Sequence, residues 1–326
     1  QGGDLLDRIQ MIRRQNALDL GVVIPPIRIR DNMQLDPNAY VIKIKGSKVA
    51  AATAYADHFL AMDAGGARGQ VEGIPTKEPA FGLPAVWVSE LQKSRAEAMG
   101  YTVVDATSVV ATHLTEVIKS HAHELLTRQE VGNLLENLKP RSPRLVEEVS
   151  GKDVLGQAGL QKVLQNLLRE RVSIRDLETI LEVLADFAPR VKDPDLLTEY
   201  VRHALARTIV RAYQEEDGKL YAVTVDPKVE EMIQAATSHS DRGILLALPP
   251  RTVTRLMSAV SRELERLVTA GHPLVLVCSP AVRSQLRRAC ELHTLQVAVL
   301  SYNEVAQSPV EALGQVTLGE TAGAAA

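Results

Sequence analysis

Apolar positions recur along this chain with two periods, and the changes of period divide it. Between residues 4 and 20, Leu5, Leu6, Ile9 and Ile12 return at helical spacing, with Arg8, Arg13 and Arg14 on the other face. Pro25 and Pro26 end that helix, and Ile27-Arg28-Ile29-Arg30 then alternates apolar and charged, as a half-buried strand does. Residues 40–45 read as a second strand and 48–54 as a weaker third, across a turn at Gly46 and Ser47. A short strand at 58–62 opens into the glycine-rich loop 64–69. Residues 81–88, 90–99 and 101–104 follow as strand, helix and strand, a small α/β insertion with its own sheet.

The period then becomes helical for a long stretch. A helix starting at Asp105 or Thr107 carries Val110, Leu114, Val117, Ile118, His121 and Leu125 on one stripe. Thr112 lies about 200° around the wheel from Val110, beside Glu116 and Lys119, and is expected to be accessible. Residues 128–213 read as helix throughout, with Ser173-x-x-Asp176 as a capping-box variant and Asp193-Pro194 as an N-cap followed by proline. The polar turn from Glu215 to Gly218 changes the pattern again. Strands at 220–225, 244–248, 274–278 and 296–300 then alternate with helices at 227–236, 252–270 and 281–292, which argues a compact α/β layer. Residues 319–326, small and polar, read as a disordered tail. The expected class is a mixed α/β and α multidomain chain.

Composition narrows the function. At 326 residues the chain exceeds one ordinary domain, and 45% apolar with 24% charged residues is the balance of a soluble globular protein. The net charge of −3 argues against a nucleic-acid binder. No apolar run approaches the roughly 18–20 residues of a membrane span. The chain opens on Gln1 rather than Met, and reads as a fragment. Cys278 and Cys290 cannot make a disulfide framework, so a reducing compartment is the simpler reading.

Catalytic signatures are sparse. Neither Gly-x-x-x-x-Gly-Lys-Ser/Thr nor Gly-x-Gly-x-x-Gly occurs. Cys278-Ser-Pro-Ala-Val-Arg283 ends an apolar strand and opens a helix, where a thiolate would be stabilised, and it supports the alternative of a phosphate-handling hydrolase. A cysteine phosphatase loop needs five residues before its arginine, and here Arg283 comes one early, with Ser284 in its place. His113, His121 and His123 share one helix, yet residues two apart face away from each other, so no metal site is expected. No enzyme activity and no cofactor are expected. Arg13 and Arg14 offer a possible subunit contact. Residues 78–87 gather Phe81 and the single Trp87 beside Pro79, Pro84 and Gly82, the makings of a protein-recognition pocket at Phe81.

Several runs carry a family resemblance. Ile24-Pro-Pro-Ile-Arg-Ile-Arg-Asp-Asn-Met-Gln-Leu35, Pro79-Ala-Phe-Gly-Leu-Pro-Ala-Val-Trp87 and Gly100-Tyr-Thr-Val-Val-Asp105 resemble the FlhA family, the large export-gate membrane proteins of flagellar type III secretion. Val109-Val-Ala-Thr-His-Leu114, Leu126-Thr-Arg-Gln-Glu130, Lys162-Val-Leu-Gln-Asn-Leu-Leu168, Val172-Ser-Ile-Arg-Asp176 and Leu300-Ser-Tyr-Asn-Glu304 continue it in order. The resemblance implies four subdomains: residues 1–56 with 106–125, an inserted α/β unit at 57–105, a helical unit at 126–205, and a C-terminal α/β layer at 206–318. It implies the cytoplasmic face of the bacterial inner membrane and a ninefold ring. It also implies partners: flagellar export chaperones with bound late substrates, and other export apparatus proteins including the export ATPase complex. The family's docking dimple falls on Glu78, Phe81 and Thr112, with a partner's apolar side chain against the Phe81 ring and polar contacts from Glu78 and Thr112 at the rim.

Overall fold

The computed structural model describes residues 2–63, 65–151, 154–240 and 243–318. The tail expected at 319–326 lies outside them. The chain divides into two compact units, residues 1–130 with 173–175, and residues 131–172 with 176–326.

The first unit opens with α1 (Gly2–Leu20), which buries Ile9 and Leu20. Gly21 ends it in the left-handed conformation (φ 78°), and a Cβ there would sit 2.6 Å from the Arg175 backbone nitrogen. Only glycine fits that crossing, where the Ile174 N–H donates to the Leu20 carbonyl at 2.9 Å. The strand expected at 27–30 does not form. Among the described residues, strands β1 (Ala39–Ile44) and β2 (Ser47–Thr53) pair antiparallel only with each other; residues 27–30 join neither edge, and Ile29 and Met33 stay exposed.

A four-stranded antiparallel sheet follows, built from β3 (His58–Met62), β4 (Ile74–Lys77), β5 (Pro84–Ser89) and β6 (Thr102–Asp105) in the order β4-β5-β3-β6. Strand β4 escapes the alternation reading because its Ile-Pro-Thr-Lys sequence carries one apolar side chain and a proline at a sheet edge. Strand pleating sends Leu60, Ala85 and Trp87 to one face, against Ala106 and Val109. The other face packs Ala61 and Val88 on Ala96 of α2 (Glu90–Ala98). Helix α3 (Ala106–Ser120) starts at an Asp105 cap accepting from the Ser108 N–H. Its buried stripe is Val109, His113, Leu114, Val117 and Ile118, which makes His113 rather than His121 the core histidine. The short α4 (Ala122–Leu125) closes this unit.

The second unit begins within α5 (Arg128–Leu138). It continues through α6 (Pro143–Ser150), α7 (Gly156–Arg169), α8 (Leu177–Phe187), α9 (Pro194–Ala204) and α10 (Ala206–Arg211), around a core that includes Leu164, Leu167, Ile180, Leu184 and Val201. The cap of α8 is Asp176 itself, whose carboxylate accepts from the Thr179 N–H at 3.3 Å, not the Ser173 box. Beyond Gly218 come β7 (Leu220–Val225), α11 (Pro227–Ala235), the hairpin β8 (Thr237–Ser240) and β9 (Gly243–Leu246), and α12 (Pro250–Ala270). β10 (Val275–Cys278), α13 (Arg283–Leu292), β11 (Ala298–Ser301), α14 (Tyr302–Val305) and β12 (Val310–Val316) complete it. The parallel sheet runs β11-β10-β7-β12. The strand expected at 244–248 pairs instead with β8 as a hairpin, and the sheet's fourth place goes to β12, whose exposed first half has no strong strand pattern.

Candidate docking site

Strand alternation carried one residue past β4 puts Glu78 on the face of Ile74 and Thr76, the face covered by α3. Glu78 is therefore only 3% exposed. Its carboxylate is spent on its own turn: Oε1 accepts from the Ala80 N–H at 2.9 Å and Oε2 from the Phe81 N–H at 2.6 Å. The backbone closes the same loop, with Glu78 N–H donating to the Leu83 carbonyl and Gly82 N–H donating to the Glu78 carbonyl. Gly82 supplies the left-handed residue (φ 74°) that turns the chain back into β5. Four hydrogen bonds thus brace a six-residue turn whose apex side chain, Phe81, remains 64% exposed. An aromatic held outward by its backbone is pre-organised for contact.

Thr112 is exposed on α3, as the helical wheel predicts. The next residue, His113, points the other way and is buried, with its Nδ1 2.7 Å from the Tyr40 hydroxyl of β1. Burial, with the Glu78 carboxylate nearby, raises the Tyr40 phenol far above its usual range. Burial depresses His113, against the opposing pull of Glu78, so the imidazole is neutral at pH 7. Glu78, expected at the rim, is buried, and both its carboxylate oxygens are hydrogen-bonded within its own turn. Tyr40 carries no motif signal, and His113 stands out in the sequence only among the histidines of its helix and in the run before Leu114.

The two arginines on α1 separate. Arg13 folds back and donates from Nε and Nη2 to the Ile24 carbonyl at 3.1 and 2.9 Å, which straps α1 to the chain beyond its end. Arg14 is exposed.

In the second unit, the Cys278-to-Arg283 motif is enclosed by buried ion pairs. The Arg283 guanidinium is buried and clamped by Glu170 and Glu199, donating from Nη1 to Glu170 at 2.6 Å and from Nε to Glu199 at 2.6 Å. Buried Arg202 joins the same network, 3.0 Å from Glu170 and 2.7 Å from Glu304. Burial pulls the Glu170 carboxyl up, but the two guanidiniums win and lower it to about 2. Burial pushes the Cys278 thiol far upward, and its Sγ faces the Leu300 carbonyl at 3.9 Å. Burial and the raised thiol therefore disfavour the thiolate that a phosphatase loop uses, and the guanidinium donors of Arg283 are committed to Glu170, Glu199 and the Val299 carbonyl.

Comparison with solved structures defines the class. The fold matches the Chlamydia pneumoniae CdsV protein with a TM-score of 0.85 at 30% identity, covering 96% of this chain and 90% of that one. It also matches the nonameric cytosolic domain of EscV from a type III secretion system with a TM-score of 0.76 at 23% identity, over 96% of this chain and 92% of that one. Among relatives, the flagellar biosynthesis protein FlhA of Bacillus subtilis is 48% identical over 98% of this chain and 47% of that protein. FlhA of Escherichia coli is 39% identical over 94% of this chain and 44% of that protein. The chain spans about half the length of these curated relatives. The FHIPEP family model matches residues 1–309, and the chain belongs to that family.

Proposed function

We propose that this chain is the cytoplasmic docking platform of a flagellar type III export gate, binding export chaperones loaded with late substrates and passing substrates toward the membrane channel. The observation that carries the reading is Phe81, an exposed aromatic on a fully braced turn, in the family whose relatives are flagellar biosynthesis proteins. In this reading Phe81 supplies the apolar contact and Thr112 a hydroxyl, while Glu78 holds the turn. In the same reading the parent protein sits in the inner membrane and its cytoplasmic portions form a ninefold ring, with Arg14 as the α1 group free to meet a neighbouring subunit. A nonameric cytosolic domain is known for EscV, and CdsV has been solved with CdsO, which supports self-assembly and partner binding on this fold. The four-part division at residues 56, 105, 125 and 205 is part of the proposal.

Calorimetric titration of the purified chain with a loaded export chaperone and with the same chaperone empty tests it. The reading expects saturable binding of the loaded complex and weaker or no binding of the empty one. Absence of binding to both would overturn it.

A further inference from the structure

One buried cluster joins the elements that carry the docking surface. Tyr40 enters it from β1 and His113 from α3, while Glu78, at the β4–β5 turn, lies on the sheet face that α3 covers. The Tyr40 hydroxyl and His113 Nδ1 lie 2.7 Å apart, and the two rings meet edge to face at 5.7 Å between centroids. Both groups feel the Glu78 carboxylate. That carboxylate, in turn, closes the turn on which Phe81 stands.

This arrangement has a geometric consequence. Thr112 and His113 are consecutive on α3, about 100° apart around the helix. Holding His113 inward against Tyr40 therefore sets the direction in which Thr112 faces outward. Glu78 does the same for Phe81. The β1–β2 sheet pairs with no third strand among the described residues, so side-chain contacts such as this one have to tie β1 to α3. Thr112 and Phe81 are thus each oriented by a buried contact below the surface.

We infer that Tyr40 and His113 are positioning residues of the docking surface: they touch no partner, and they act by holding Thr112 and the Phe81 turn at one spacing. The inference rests on the docking reading above, and deepens it.

A double-mutant cycle on the whole chain tests it, with a purified loaded export chaperone as the probe. Tyr40→Phe keeps the ring and removes the hydroxyl. It should weaken binding about three- to ten-fold, the worth of one hydrogen bond, and move the amide NMR signals of Phe81 and Thr112. His113→Ala should behave alike, whereas His113→Gln, which offers the hydroxyl another polar partner, should recover most of the affinity. In a Phe81→Ala background, Tyr40→Phe should add almost nothing, because spacing no longer matters once the ring is gone. Should Phe81→Ala weaken binding and Tyr40→Phe leave it unchanged, or should the two losses multiply in full, the positioning role is wrong and the docking reading stands. If Phe81→Ala itself binds as the native chain does, the docking reading fails and takes this inference with it.

Discussion

Glu78 braces the turn on which the exposed Phe81 stands. A carboxylate accepting two backbone N–H bonds gains more than a neutral acceptor would, about 1.5–3 kcal/mol net for each charge-assisted bond. Glu78→Ala leaves the Ala80 and Phe81 amides without their acceptor. The expected outcome is a lower melting temperature and a weaker docking affinity together, read by thermal denaturation and calorimetry on one preparation. An unchanged affinity would show that the turn holds its shape unaided. Thr112→Met adds bulk at an exposed helix position, so it should block docking with the melting temperature unchanged. Arg13 and Arg14 differ in the same way. Losing the Arg13 strap on Ile24 should cost about 1–2 kcal/mol in a denaturant titration. Arg14→Glu should leave stability intact, and cross-linking of the membrane-bound parent reports whether it weakens self-association.

At the scale of elements, Gly21 joins covalent geometry to packing. Gly21→Ala places a methyl within 2.6 Å of the Arg175 backbone and forces a left-handed residue, so the first unit should unfold at markedly lower temperature. Much of the architecture was legible before any coordinates. The helical periods of α1, α3, α9 and α12, the strands β3 and β7, and the Asp193 cap all follow from spacing and propensity, because each forms by local rules. Pairing was not legible. Residues 27–30 have a strand's alternation and no neighbour, β4 has a neighbour and hardly any alternation, and β9 joins a hairpin in place of the parallel sheet. Strand identity depends on a partner distant in sequence, which a local period cannot report. The site divides along the same line. The exposure of Phe81 and Thr112 was legible, through the Pro-Gly turn composition and the helical wheel. The inward turn of Glu78 and the Tyr40–His113 bond, spanning 73 positions, were not.

At the scale of the whole molecule, the buried ion cluster predicts how the second unit responds to acid. Glu170 carries a folded-state pKa of about 2 against an ordinary 4.5, so its contribution is present above about pH 4.5. As pH falls from 4.5 toward 2 the unfolded state takes up the proton first, and roughly 3 kcal/mol of stability drains away. Glu170→Gln should be less stable than the native chain at pH 7, because Arg202 and Arg283 lose a shared counter-charge. The variant should also lose less on acidification between those limits, which circular dichroism across the pH range would read. The proposed docking role rests on Phe81 as the contact. The most direct measurement is the dissociation constant of a loaded export chaperone for the native chain and for Phe81→Ala, with melting temperatures taken on the same samples. An apolar contact of this size is worth about 1.5–3 kcal/mol, so the account predicts affinity about 10- to 150-fold weaker at nearly constant melting temperature. Unchanged affinity with a melting temperature many degrees lower would contradict it.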